Sequence, residues 1–508
     1  MMSSIKFVMI LIAGWTMFPS HSFGYSGGTG EPDAPYQIAN VNDLLQLAAT
    51  VTDYTEHFIL TADIDLDPDL PGGQTFTSAV IAPDNSPLGG FQGTPFKGTF
   101  DGNDHVLSNL TIAAPAGEYI GLFGAILQGQ IENLRLENVK ITGCNYVGGL
   151  AGHISKSSIS NCRVTGTAVG NRSLCLGGLA ALSVGSTITN CHSNVALDGT
   201  GGSVGGLAGS SIAGSAIVNC SATGTINQTD TGGLGVSVGG LVGNNCSSTI
   251  SHCRATGDIN LISTSTESVS TIHIGGLAGE DRYGTITQSF AGGSIQSAVA
   301  SESVIACGGG LAGLTSSKDF SDNYAEGAVL FNCNTESNYF LGGMIGLNYQ
   351  AFVRRCYSTG VVGSGGTPQA DNCVGGFCGD VITETGYEDT ANFWDVDASN
   401  KTASAMGLGK SMAQMKAVST FAGAGWNSAA PVWMMLRPGE DYPRLAWQPV
   451  YAGDIAGLYG VDTVDLLEIA SNWLVDTCPV HCGDADIDGS GVVDVEDFAI
   501  LAAEWLAR

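Results

Sequence analysis

Near its C-terminus the chain reads D-I-D-G-S-G-V-V-D-V-E-D, Asp486–Asp497, a stretch whose residue types and spacing fit a definite chemistry. Counted as a twelve-residue cation loop, side-chain oxygens fall at positions 1, 3, 5, 9 and 12: Asp486, Asp488, Ser490, Asp494 and Asp497. Gly491 takes the sharp turn at position 6, and Val492 offers its carbonyl at position 7. A hard cation collects oxygens in this pattern, so the expected ligand is Ca²⁺. Starting the count at Asp484 would put Val495 last and lose the closing carboxylate. Offset by 32 residues, Asp454, Asp462 and Asp465 keep positions 1, 9 and 12 of a first copy. Ala456, Leu458 and Tyr459 replace its other oxygens and its turn glycine, so that loop binds Ca²⁺ weakly or not at all. Between the copies, Cys478 and Cys482 suit a local disulfide better than a Zn²⁺ site shared with His481.

Helices must position these loops. Asp465–Leu474 and Asp497–Leu506 share a helical period, with Leu466, Ile469 and Trp473 on one face and Phe498, Leu501 and Trp505 on the other copy's. Two amphipathic helices of equal design can pack face to face. The final 58 residues hold 12 acidic groups and one basic group, a sharp break from what precedes them.

Upstream the sequence is ruled by a glycine-centred pentapeptide, G-G-L-A-G at Gly148–Gly152 and variants of it. Its second glycine recurs at Gly121, Gly149, Gly178, Gly206, Gly240, Gly276, Gly310, Gly343 and Gly376, at spacings of 28, 29, 28, 34, 36, 34, 33 and 33. Such periods mark a solenoid, in which each unit buries its apolar edge against its neighbours. The units carry strand signals: β-branched residues, short alternation and glycine punctuation. All 15 prolines lie outside residues 116–367, as a structure needing nearly every strand N–H requires. The expected fold is mainly β, a right-handed parallel β-helix solenoid with caps. At about 4.8 Å per coil, nine coils make a core on the order of 40 Å long.

Two columns stand out within the repeats. Cys162, Cys191, Cys253 and Cys356 lie 13 residues after the marker glycine, Cys220 lies 14 after, and Cys175, Cys307 and Cys373 lie three before. They read as ladders of buried thiols, compact apolar fillers instead of disulfides. Asn161, Asn190 and Asn219 precede the ladder cysteine, Asn133 and Asn323 fall at the matching place, and His252, Gln288 and Arg355 replace them elsewhere. Stacked amides at a turn are expected to bond along the axis.

The expected organisation is a signal peptide over 1–24, an N-terminal cap and first coils over 25–120, the repeat solenoid over 121–392, a C-terminal cap over 393–450 and an all-α Ca²⁺ module over 451–508. The signal reading rests on Lys6, the apolar run Phe7–Phe18 and Ser22-Phe23-Gly24. No other segment reaches the length of a spanning helix, so a secreted or cell-surface location is expected. Residues 36–48 suggest a strand and short helix, and Ser411–Val418 another helix. Trp394, Trp426, Trp433 and Trp447 suggest an aromatic plug over the last coil, with a sugar-stacking platform as the lesser alternative.

The G-G-L-A-G units resemble GLUG-motif repeats of bacterial secreted β-helix proteins. Phe96–Leu110 is similar to the lead-in coil of such repeats, with Asp104 where a glycine is usual. The likeness covers roughly residues 30–395. It implies adhesin or scaffold roles, although the same module accompanies some surface peptidases. The C-terminal tandem resembles a dockerin, over about residues 452–506, more closely in its second half. That resemblance implies docking onto a cohesin-like receptor through loop positions 10 and 11, here Thr463, Val464, Val495 and Glu496. The degraded first loop departs from the pseudo-symmetric docking of some relatives.

Function follows from charge and from what is missing. Acidic residues outnumber basic ones 47 to 18, for a net charge of −29, which disfavours nucleic acid and anionic membranes. No H-E-x-x-H string supports a metallopeptidase. The run Asp63, Asp65, Asp67, Asp69 could line a catalytic groove or bind Ca²⁺, but a water-facing cap strand is the stronger reading. A polyuronate lyase would want a basic cluster, and 18 basic residues spread along the chain disfavour it. The expectation is an exported non-catalytic adhesin or scaffold with no catalytic residues, contacting an extracellular polysaccharide or surface glycan. The alternative is a carbohydrate-active β-helix enzyme, a polysaccharide hydrolase or lyase, assembled through the dockerin-like module.

Overall fold

A computed structural model describes residues 24–70, 73–86, 89–232, 235–265, 270–299, 304–333, 338–364, 373–382, 387–427 and 432–448. Beyond these it describes residues 466, 469–470, 473, 487 and 493–506. The signal segment therefore lies outside the described residues.

One coil shows the plan. Asn145–Gly148, Ala151–Ser155, Ser158–Ser160 and Arg163–Gly170 form four short strands. Each pairs in parallel with its equivalent in the next coil. Stacking produces four walls, here called first to fourth in that order. The third holds twelve strands, and the first and second hold nine each, enclosing about eight turns of a parallel β-solenoid.

Glycine is required where the first wall turns into the second. A Cβ on Gly206, Gly240 or Gly276 would sit 2.0–2.1 Å from the carbonyl oxygen of the next coil's marker glycine. The last glycine of the pentapeptide is as confined, since a Cβ on Gly243 or Gly279 would lie 2.5–2.6 Å from a first-wall backbone nitrogen. The residue after each marker points inward, and Leu150, Leu179, Leu207, Leu241, Leu277 and Leu311 are all buried. The pentapeptide is therefore a backbone-on-backbone contact followed by a core side chain.

The corner between third and fourth walls explains the amides. Asn133, Asn161, Asn190, Asn219, His252, Gln288, Asp322, Arg355 and Ala391 all have φ between 47° and 58°. Asparagine tolerates this left-handed region better than most residues. Its Nδ2 also donates to the Oδ1 of the preceding coil's asparagine, from Asn219 to Asn190 (2.7 Å), Asn190 to Asn161 (3.1 Å) and Asn161 to Asn133 (3.0 Å). Asn133 ends the series on Asp101 at 3.0 Å. The family-usual glycine has a similar explanation, because Asp104 has φ +61°.

Asn323 does not belong to that corner. Asp322 takes the left-handed position, and Asn323 falls one slot later, in the column of Cys162, Cys191, Cys220, Cys253, Ser289, Cys356 and Asn392. These side chains are buried, but they are more than filler. Backbone N–H groups of Cys191, Cys220, Cys253 and Ser289 donate to Cys220 Sγ, Cys253 Sγ, Ser289 Oγ and Asn323 Oδ1 of the following coil. The slot needs a small acceptor, which is why Cys, Ser and Asn interchange there. Burial pushes the Cys191 and Cys220 thiols well up.

A second polar column faces inward from the second wall: Ser183, Ser211, Asn245, Asp281, Thr315 and Asn348 are register partners. Asp281 is fully buried, accepting from Asn245 Nδ2 at 2.7 Å and Thr315 Oγ1 at 3.1 Å. Burial raises its carboxyl to about 6.

Both ends are covered. Helix Val41–Ala49, capped by Asn40 Oδ1, buries Leu44 and Leu47 over the first coils. At the other end Trp394 lies beneath Gly376, and Leu408–Lys410 pairs with Phe393–Asp395 as a final rung. Met412–Met415 and Val418–Ala422 are helical. The remaining tryptophans correct the expected plug. After Ala422 the chain turns back along the outside of the fourth wall, and Trp426, Trp433 and Trp447 donate to Ala391 O, Asp322 Oδ1 and Gln288 O. This strap covers a ring column of Phe290, Tyr324, Tyr357 and Phe393. Phe290 and Tyr324 stack at 4.7 Å, and Tyr324 and Tyr357 at 5.1 Å. Burial of Trp426 and Trp433 leaves no sugar platform on those rings. Among the described residues no helix is long and apolar enough to cross a membrane.

Candidate functional site

Of the loop residues expected to hold Ca²⁺, Asp486, Asp488, Ser490 and Val492 lie outside the described residues, as do Asp454, Asp462, Asp465, Thr463, Val464, Cys478, His481 and Cys482. Asp494 and Asp497 are described, at the start of helix Val495–Leu506. The Asp494 N–H donates to Asp497 Oδ2 at 2.9 Å, and Phe498 N–H returns to Asp494 O at 3.2 Å. Carboxylates at a helix N-terminus are favoured by its dipole. The two described carboxylates and the all-oxygen donor set fit a hard cation, which would supply charge neutralisation and order there. Val495 is 60% exposed, while Val493, Ile469 and Leu501 are buried. Glu496 lies on the same helix. Leu466, Ile469, Ala470, Trp473 and Phe498 border one apolar hollow, bringing side chains from both sequence copies together. Among the described residues no three His, Cys, Asp or Glu side chains gather as a metal site.

The acidic run near residue 63 is tied to neighbouring coils. Asp63 accepts from the Val106 N–H at 3.0 Å and meets His105 Nδ1 at 2.9 Å, contacts that hold its carboxyl below the ordinary range. Asp65 accepts from Asn109 Nδ2 at 2.8 Å, and Asn109 Oδ1 from Asn138 Nδ2 at 2.6 Å. Only Ile64–Asp65 is strand, because Asp65 and Asp67 each bond the backbone N–H two residues on. The run is a coil junction exposed to water.

The chain contains two G-x-S-x-G strings, Gly201–Gly205 and Gly235–Gly239. Such strings mark a nucleophile only where a strand turns sharply into a helix. Here Ser203 and Ser237 sit inside first-wall strands. Ser237 Oγ donates to Glu280 Oε2 at 3.5 Å, and His273 Nδ1 stands 3.7 Å from Glu280 Oε1. Both polar groups address the carboxylate, which also pairs with Arg282, and no bond runs from serine to histidine. Desolvation lowers His273, and all three groups are buried in the glycine corner. The arrangement neutralises a buried carboxylate.

A surface hollow of about 670 Å³ opens on the outer fourth wall beside the strap-covered rings. Asn260, Gln296 and Asn332 give it amides, and Ile262, Ala298 and Leu330 give it apolar edges. Asn260 Nδ2 donates to Asn227 Oδ1, and Asn227 Nδ2 to Asp198 Oδ1, so an amide ladder leads into the hollow. The sequence carried this signal as repeat-spaced Asp198, Asn227 and Asn260, visible once coils are aligned.

Residues 143–169 and 200–227 match the family described as the GLUG motif. Each matched segment spans one circuit of the four walls. The chain is a parallel β-solenoid that carries GLUG-motif repeats. Halomucin of Haloquadratum walsbyi is 34% identical over 149 residues, 28% of this chain. The chain spans only 2% of halomucin's length. A candidate immunoglobulin A1 protease of Bacteroides ovatus superposes with a TM-score of 0.38 at 20% identity, over 84% of this chain and 96% of that one.

Proposed function

We propose that this GLUG-repeat solenoid is an exported, non-catalytic adhesin or scaffold whose C-terminal segment is a dockerin-like Ca²⁺ module that docks to a cohesin-like receptor. The observation that carries the docking half is the oxygen-bearing loop Asp486–Asp497 leading into the helix Val495–Leu506, with Asp494 and Asp497 at the helix start and Val495 turned to solvent. Export is supported by the apolar N-terminal run Phe7–Phe18. A presenting role for the solenoid is supported by its outer amide ladders and the amide-lined hollow.

Calorimetric titration of the full chain with Ca²⁺ tests the module. One saturable site is expected, lost when Asp486→Ala and Asp497→Ala are combined. Substituting Val495 and Glu496 should weaken capture by an immobilised cohesin at least tenfold with the Ca²⁺ heat retained. Absence of a Ca²⁺ heat overturns the module, and reproducible release of sugar from a polysaccharide by the same protein hands the solenoid to the enzyme reading.

A further inference from the structure

The fourth wall brings together cations that the sequence scatters. Arg135, Arg163, His192, Ser221 and Arg254 are register partners on five successive coils, each two residues after a corner residue. Parallel rungs stand about 4.8 Å apart, so the column runs roughly 19 Å along the axis. In a chain with 18 basic residues and a net charge of −29, three arginines and a histidine have been stacked on one line.

Arg135 and Arg163 are exposed, and among the described residues neither guanidinium has an ion pair or hydrogen bond. Burial, with Arg163 and Arg254 on either side, pushes His192 down to about 4. His192 is thus a neutral member of the column, its Nδ1 2.7 Å from Ser221 Oγ. The column contains no carboxylate. Exposed Glu137 lies on the same strand as Arg135, and Asp63 feels the Arg135 charge without pairing to it. Arg135 and Arg163 stand on neighbouring rungs, where like charges repel, and neither is paired among the described residues of a protein with 47 acidic side chains.

Beside the arginines runs the corner ladder of half-buried Asn133 and exposed Asn161, Asn190 and Asn219. Each ladder amide spends one N–H and one lone pair on its neighbours, and an amide has a second of each to offer a hydroxyl. We propose that this strip binds a linear acidic polysaccharide along the solenoid axis, its anionic groups on Arg135, Arg163 and Arg254 and its hydroxyls on the asparagines. The proposal rests on the reading of the solenoid as a presenting surface and supplies its ligand class. Pyranose chains advance by a length comparable to one coil, whereas duplex DNA sets phosphates about 3.4 Å apart along the axis of each strand. The remaining acidic surface opposes a dense polyanion. At physiological salt, screening over about 8 Å leaves the strip's own charges to dominate contact with a sparser one.

The test is affinity electrophoresis of the full chain through gels containing polygalacturonate, neutral dextran or duplex DNA, in EDTA so that no cation bridges acid to acid. Polygalacturonate should retard the protein, dextran should not, and DNA should bind at least tenfold more weakly. Combining Arg135→Gln with Arg163→Gln should lower polygalacturonate affinity about tenfold or more and flatten its salt dependence by about 1.5 in log–log slope. The thermal midpoint should hold, since both side chains are exposed. The proposal is overturned by no retardation in polygalacturonate, by equal retardation in dextran, by tighter binding to DNA, or by unchanged affinity in the double variant. The Ca²⁺ heat, measured on the same samples, survives any of these outcomes, so failure here is separable from failure of the docking module.

Discussion

The two halves of the fourth wall share one register and finish as opposite surfaces. Up to Thr200 its strands are continuous, Arg135–Gly143, Arg163–Gly170 and His192–Thr200, and the marker glycines stand 28 or 29 residues apart. From Ser221 onward each is split, as in Phe290–Ala291 with Ile295–Val299, and the spacing grows to 33–36. The break is held by a new glycine column, where a Cβ on Gly257, Gly293, Gly327 or Gly360 would lie 1.9–2.1 Å from the preceding glycine's carbonyl oxygen. In the same outward position the continuous half carries Arg135, Arg163 and His192, while the split half opens with Ser221 and Arg254 and then carries Phe290, Tyr324, Tyr357 and Phe393. Cations stay hydrated and open, whereas rings recruit a cover. The scaffold fixes where a side chain stands, and its chemistry decides whether the surface is presented or sealed.

The sharpest way to break this contrast is to empty the sealed half. Tyr357 is fully buried, stacks on Tyr324, and donates its hydroxyl to Pro443 O at 2.5 Å. Tyr357→Ala should weaken strap docking by about 3–5 kcal/mol, with red-shifted emission from Trp426 and Trp433 and faster proteolysis within 427–448. His192→Ala in the open half should leave both readouts unchanged. Equal effects would mean that the two halves are not separately stabilised.

The interior should differ in its response to pH. Asp281 lies within the split coils, while Ser183, which holds the same column in a short coil, does not ionise. Its carboxyl is raised from 3.8 to about 6, so folding favours the protonated form. Stability from this group is therefore fully present below about pH 4 and is lost as pH rises through 6, on the order of 3 kcal/mol. Asp281→Asn should abolish that loss, and denaturation curves of the two proteins should diverge between pH 4 and 7. Parallel curves would sink the assignment.

In the open half the ladder is the smaller effect. Asn190→Gly keeps the left-handed corner but removes two amide bonds, and should cost about 1 kcal/mol. Asn190→Ala adds roughly 1–2 kcal/mol more for the conformation itself. Thermal midpoints for the pair separate hydrogen bonding from backbone, and identical values would show that the corner conformation carries no cost.

What could be read without coordinates follows from periodicity. The strands, the glycine corner, the proline-free span and the Asn133–Asn219 ladder repeat once per coil, because each is an interaction between a coil and its neighbour. Asn323 was misplaced because sequence spacing alone cannot tell adjacent slots apart, and φ assigns the corner to Asp322. The strap could not be read at all, since Trp447 meets Gln288 across 159 residues with no period to announce it. The arginine column was hidden by counting basic residues along the chain; counting from the corner residue reveals it. At the proposed Ca²⁺ loop the order of oxygens is a reading of the sequence alone, and of its side chains only Asp494 and Asp497 fall among the described residues, at the start of helix Val495–Leu506.

The return of the strap also sets a route for mechanical load. A pull applied beyond Gln448 does not arrive at the final coil. It reaches Trp447, bonded to Gln288 O, and Gln448, bonded to the Tyr324 hydroxyl, partway along the stack. Tension from a tether on that side therefore enters the solenoid's flank, with the last rungs between Tyr357 and Lys410 bypassed until the strap gives way. Coils that would be the first to unravel under an end-on pull are shielded by the segment that follows them in the chain.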